Sequence, residues 1–220
     1  MSLSFSSSRG LQIGAAVVGC VIIVSVILVL STLHQMHAAD VERSVAELEH
    51  QLAEIKFGSR DSIHLYEATG TDDLLATISD NSEVHRLYLE LTDVSDAGIE
   101  YIAQMPELQS LTVYGGRPGL SNTGLAALSN NTSIAELQLI NTRVSDNGLN
   151  RLQQFKALRS LVLYYNAVND PPVSDSAFVS LQKLGNLEQF QFGGSWASAK
   201  AVEQLRSSLP SCTIETYSGP

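Results

Sequence analysis

One interval constrains this chain more than any other feature. Five segments carry apolar residues at their first, fourth and sixth positions: Val84, Leu87 and Leu89; Leu108, Leu111 and Val113; Ile134, Leu137 and Leu139; Leu158, Leu161 and Leu163; Leu187, Phe190 and Phe192. A second signature follows each opening, a small residue and then an apolar pair three apart: Gly98-Ile99 with Ile102, Gly124-Leu125 with Leu128, Gly148-Leu149 with Leu152, Ala177-Phe178 with Leu181, and Ala201-Val202 with Leu205. The small residue precedes the next opening by ten positions every time, whereas the way from opening to small residue takes 14, 16, 14, 19 and 14. Apolar residues two apart suit a strand and three apart a helix, so each unit reads strand, turn, helix. All variation in length falls between strand and helix, on one edge of a stack.

A unit this short cannot bury its own apolar face, and stacked neighbours must supply the cover. The pattern resembles the leucine-rich repeat family over residues 84 to about 217, a little over half the chain. It looks most like the long-helix and bacterial forms, including single-pass membrane-anchored ones. The resemblance implies an α/β solenoid, with short parallel strands on a concave face and helices on the convex face. It also implies interaction in place of catalysis, an analogy from fold alone. The ninth position departs from the family's frequent Asn: it holds Thr92, Gly116, Thr142, Asn166 and Ser195.

Residues 83–209 thus form five repeats, and flanking segments read as caps. Within 61–82, Ile63-His64-Leu65-Tyr66 is strand-like, and a helix is expected from Asp72 to Ile78 with Thr71 as N-cap. Counting ten from Ala201 gives an opening at Ser211, with Ile214 at position four and polar Thr216 at position six, so 210–220 reads as a terminal capping strand behind Pro210.

The amino-terminal part has a different character. Behind a Ser-rich tail, residues 1–10, the stretch 11–33 holds 14 Leu, Ile and Val residues and no Asp, Glu, Lys or Arg. As a helix it would be about 34 Å long, enough for a hydrocarbon core of about 30 Å, and it reads as a transmembrane signal-anchor. A cleaved leader has a shorter apolar core, and a lipoprotein signal ending at Cys20 would keep its core ahead of that residue, yet the strongest run is 21–30. Arg9 before the span, against an acidic remainder, places the amino terminus in the cytoplasm and the repeats in the periplasm or outside the cell. The net charge of −10 disfavours nucleic acid as a partner.

In residues 38–56, Val41, Val45, Leu48, Leu52 and Ile55 step by four and three. That seam suits either a homodimeric coil or a single helix folded onto the repeats, and two heptads favour the latter.

The chemistry-bearing types do not assemble into a catalytic motif. There is no phosphate loop, Cys-x-x-Cys or His-Glu-x-x-His, and no enzyme activity, cofactor or metal is expected. His34 and His37 lack a third ligand. Gly115-Gly116-Arg117-Pro118-Gly119 reads as a turn, and Ser95-Asp96 and Ser145-Asp146 as helix caps. Asn130-Asn131-Thr132-Ser133 matches glycosylation acceptors, and Cys212 reads as a small buried residue beside the last strand.

What remains is a surface. Positions five and seven of the openings point away from the core: Tyr88, Thr112, Gln138, Val162 and Gln191 in one column, Glu90, Tyr114, Ile140, Tyr164 and Gly193 in the other. With Tyr165 these form the candidate site for an unknown protein or peptide, because exposed Tyr anchors interfaces. The insertions 115–119 and 166–172 would flank it. The alternative is a structural envelope spacer, or a dimerising membrane protein, without a specific ligand.

Because the repeats hold one another up, replacing Leu137 or Leu161 with Asp is expected to unfold the whole stack, read as loss of a single cooperative melting transition. A melting curve like that of the parent would contradict the repeat register.

Overall fold

The computed structural model describes residues 8–165, 173–193 and 197–216, with side chains described from Leu28 onward and that of Thr216 excepted. The chain divides into two units, Met1–Glu42 and Arg43–Pro220. A helix α1 covers Ser8–Lys56. In the first unit its side chains at Leu28, Val29, Leu30, Leu33 and Met36 are all more than half exposed. The apolar run 11–33, with Cys20, lies mostly where side chains are outside the described residues. Among the described residues no helix is long and apolar enough to cross a membrane.

The second unit alternates strand and helix: β1 Ser62–Tyr66, α2 Thr71–Ile78, β2 Arg86–Glu90, α3 Asp96–Gln104, β3 Ser110–Tyr114, α4 Asn122–Leu128, β4 Glu136–Ile140, α5 Asp146–Leu149 continued by a 3-10 turn Asn150–Gln154, β5 Ser160–Tyr164, α6 Asp175–Leu181, β6 Gln189–Gly193, α7 Ala199–Ser208 and β7 Thr213–Thr216. All seven strands pair in parallel in sequence order. This is the leucine-rich repeat fold. Segment 61–82 is a full strand-and-helix unit of the same sheet, with Ile63 beside Leu87 and Leu65 beside Leu89.

The core is the apolar set read from the repeats. Leu87, Leu111, Leu137, Leu161 and Phe190 point inward from successive strands with no exposed surface, and Ile99, Leu125, Leu149 and Leu181 meet them from the helices. Near the far end the core turns aromatic, with Phe190 and Phe192 stacked 5.5 Å apart and Phe178 edge-on to the latter at 5.4 Å.

A second ladder joins the helix starts. The Asp96 carboxylate accepts hydrogen bonds from the Ser121 amide (3.0 Å) and hydroxyl, Asp146 from those of Ser174, and Asp175 from those of Ser198. Asp72 serves Ser95 in the same way, and Asn122 takes the place of Asp toward Ser145. Ser95, Ser121, Ser174 and Ser198 also accept an amide of their own helix, so the hydroxyl relays between repeats while capping locally. The Ser95-Asp96 pair therefore links neighbours as well as capping, whereas the Ser145 side chain is bonded by Asn122 and makes no cap bond to its own helix. The small residue of the motif has its reason here: a Cβ on Gly98 would stand 2.1 Å from Asp72 Oδ1, and one on Gly148 would stand 2.2 Å from Asn122 Oδ1.

The open edge of β1 is closed by α1. Gln51, 1% exposed, presents its amide as though it were another strand: His64 N donates to Oε1 at 2.7 Å and Nε2 donates to the His64 carbonyl at 2.8 Å. Ser44 accepts from the Thr69 amide at 3.1 Å. Leu48 and Ile55 are buried in the core of the same chain, and Leu52 packs against it. Three of the five seam residues thus cover the first repeat, as the reading of a single helix folded onto the repeats expects, because a parallel edge strand leaves apolar surface and backbone donors that must be covered. Val45 stays exposed and Val41 half-buried.

Two local readings change as well. Thr71 is the first helical residue, and its cap comes from the next repeat, where Asp93 accepts from the Gly70 (2.9 Å) and Thr71 (2.8 Å) amides. Asn131 is 5% exposed and donates to the Met105 carbonyl, so it is closed to glycosylation, whereas Asn130 stays exposed.

Replacing Gln51 with Leu is expected to strand the His64 amide and carbonyl and to cost about 2–4 kcal/mol of stability. Denaturant titration checks this, with Gln51→Glu retaining the acceptor and part of the loss.

Candidate functional site

The open face of the sheet carries the residues that the register turns away from the core. One column runs His64, Tyr88, Thr112, Gln138, Val162, Gln191 and Glu215, the other Tyr66, Glu90, Tyr114, Ile140, Tyr164 and Gly193. The ten residues singled out in the sequence do not share one fate. Tyr88, Glu90, Thr112, Tyr114, Gln138, Tyr164 and Gln191 keep part of their surface in water. Ile140, Val162 and Tyr165 do not, at 5%, 7% and 4% exposure. Ile140 is flanked in register by Tyr114 and Tyr164, which leave little room for solvent above it. Tyr165 follows the end of β5 and joins the core, where burial pushes its phenol well above the ordinary value. It offers no surface to a partner.

The strand β1 adds two residues that the repeat count passed over. Tyr66 is 56% exposed, and His64 stands edge-on to Tyr88 with ring centres 5.8 Å apart. His64 Nε2 lies 3.2 Å from Glu90 Oε2. The Tyr66 phenol is held above its ordinary value by Glu67 first and also by Glu90 and Tyr114. The amino-terminal end of the face is therefore the aromatic and acidic end. The signal was present in the sequence: with Ile63 and Leu65 as inward positions, His64 and Tyr66 fall into the two outward columns.

Beyond the strand ends runs a row of turns. Glu67, Leu91, Gly115 and Asn141, each the first residue after its strand, all take positive φ, from 47° to 61°. Gly adopts that conformation at no steric cost, but a leucine there is unusual, and Leu91 is also 44% exposed. The row floors a cleft of about 720 Å³ whose walls include Tyr114, Gly116, Arg117, Pro118 and Arg143. The insertion 115–119 thus stands beside the tyrosine column, as the spacing implied. Arg143 Nη1 donates to the Pro118 carbonyl at 3.5 Å. The other insertion, 166–172, with Asn166, and Ser195 lie outside the described residues.

Asp93 borders the cleft but is committed to the scaffold. Burial raises its carboxyl, yet the hydrogen bonds from Thr71 and Gly70 outweigh this and hold it below the ordinary carboxylate range. Among the described residues, no group of three or more His, Cys, Asp or Glu side chains suits a metal ion. Cys212 is half-buried beside β7, and burial pushes its thiol up. The geometry offers shape, aromatic surface and charge.

Comparison with known proteins adds little to this. No protein-family model and no curated protein matches the chain. A solved leucine-rich repeat protein of Leptospira interrogans aligns at 18% identity and a TM-score of 0.45, over 73% of this chain and 38% of that one. The present chain thus spans well under half the length of that structure.

The depressed carboxyl of Asp93 sets a sign for acid stability. Its contribution is whole above the unfolded carboxylate value of about 3.9 and is lost as pH falls through the lower folded value. Asp93→Asn should cost about 1 kcal/mol near neutrality and flatten the fall of Tm between pH 4 and 2. Melting scans over that range check it.

Proposed function

We propose that this leucine-rich repeat protein is a membrane-tethered interaction module whose open sheet face binds another protein or a peptide. The single observation that carries the binding half is the aromatic column: Tyr66, Tyr114 and Tyr164 occupy one register line, with Tyr88 beside it, and all keep surface in water. Core packing makes no demand for large rings on that side. A half-exposed Tyr offers apolar area and a hydroxyl at little entropic cost, which is why interfaces favour it. The cleft beyond the strand ends widens the same surface, and mobile or insertable loops on a fixed scaffold are where recognition usually sits.

The tether rests on residues 11–33, uncharged and rich in Val, Ile and Leu. It is supported by the side chains at the carboxy-terminal end of that stretch: Leu28, Val29, Leu30 and Leu33 are 55–59% exposed along a helix, a surface better suited to lipid than to water. The amino terminus then lies in the cytoplasm and the repeats in the periplasm or outside the cell, by the positive-inside rule. The reading is of recognition without catalysis.

Tyr114→Ser with Tyr164→Ser in the full chain is expected to abolish capture of partner proteins crosslinked in intact membranes, while leaving the melting temperature within a few degrees of the parent's. Equal capture by parent and double variant would remove the proposed face.

A further inference from the structure

We propose that Glu90 and the tyrosines around it form a receptor for a cationic side chain, an arginine or lysine of a basic peptide segment on the partner. This deepens the interaction reading above and rests on it. Register places Tyr66 and Tyr114 directly on either side of Glu90, about 4.8 Å away across the strands, with Tyr88 two residues before it on the same face. A carboxylate among ring faces attracts a cation twice, through its charge and through the negative faces of the rings. Neither feature attracts an anion.

The surroundings favour the same sign. Glu67 follows Tyr66, and it is the first cause that holds the Tyr66 phenol above its ordinary value, with Glu90 and Tyr114 contributing as well. Arg86, on the same face, is turned to Asp61 at 3.6 Å. Arg117 and Arg143 line the cleft past the strand ends, which Glu67 and Tyr114 border from the side of the face, and Arg143 is held on the Pro118 carbonyl. His64 already brings a ring nitrogen to 3.2 Å from Glu90, which shows that the carboxylate is within reach of a nitrogen donor coming from the face. Glu90 keeps a third of its side chain exposed and Tyr66 more than half, so an incoming side chain has access. A guanidinium fits best, since it stacks on rings and bonds a carboxylate with two N–H groups at once.

The test uses the full chain in detergent micelles and a fluorescent, end-capped decapeptide alternating Arg and Ser. Its counterpart replaces Arg by citrulline, which keeps the shape and removes the charge. The Arg peptide should bind about tenfold more tightly than the citrulline peptide, and Glu90→Gln should weaken it by about tenfold. Tyr66→Ala should weaken it several-fold, and Glu136→Gln on β4 should leave it unchanged. Glu90→Gln is isosteric and carries the test should Tyr66→Ala lose its fold in a melting scan. Equal affinity for both peptides overturns the proposal, as does an equal loss from Glu136→Gln, which would signal attraction to acidity in general. Tighter binding of a Glu-Ser decapeptide, or no binding of the Arg peptide by folded protein, overturns it too. Absence of peptide binding with Tyr114- and Tyr164-dependent capture intact sinks the receptor alone; loss of both sinks the interaction face.

Discussion

A parallel strand of five residues is not self-sufficient: half its amides and carbonyls face each neighbour, and water cannot reach them once the apolar side is covered. Every rung here depends on the next for those bonds. The dependence has to end somewhere, and at β1 it ends on one side chain. The Gln51 amide has a donor and an acceptor at nearly the spacing of a backbone residue, so a helix can finish a sheet without becoming a strand. Leu48 and Ile55 on the same helix complete the apolar half of the closure. Three residues of the four-and-three seam, Leu48, Leu52 and Ile55, are engaged in this closure.

The helix side is tied by a different device with the same logic. Each helix start needs acceptors for its first amides, and a Ser hydroxyl supplies one. At Ser95, Ser121, Ser174 and Ser198 that hydroxyl also donates a hydrogen bond to the carboxylate of the preceding repeat, while Ser145 instead accepts from the Asn122 side-chain amide. The result is a polar line running beside the apolar one, and both require the fixed ten-residue return from helix to strand. The passage from strand to helix opens on the row of positive-φ residues and is tied to its neighbours by separate bonds, such as those from the Gly70 and Thr71 amides to Asp93 and from the Arg117 amide to the Thr92 carbonyl, while its length varies.

Much of this was legible in the residues, for physical reasons that differ by element. Strand and helix periods are properties of single segments, so Leu87 with Leu89 and Ile99 with Ile102 announce themselves. Segment 61–82 reads as a cap from its place at the end of the stack, yet Leu74 lies ten before the opening at Val84, at the position where later repeats hold Gly or Ala. Without that unit's register His64 and Tyr66 had no column to join. The partners of Gln51, Asp93 and Asp96 are in other repeats, and no periodicity names them. Exposure was the weakest inference: alternation told which way Ile140 and Val162 point, but neighbours on the folded sheet decide whether water reaches them. Tyr165 was placed by adjacency to Tyr164, and the bend after β5 sends it inward.

The asymmetry between the two connections has an evolutionary side. A segment inserted after a strand leaves every pairing in the sheet and every Ser-to-carboxylate link where it was, as the cis Arg117–Pro118 turn and its glycines illustrate between β3 and α4. Such a protein can acquire new contours by lengthening one margin, with its skeleton untouched. Diversity is confined to the side where novelty does no harm, and descent with modification has a ready-made workshop there.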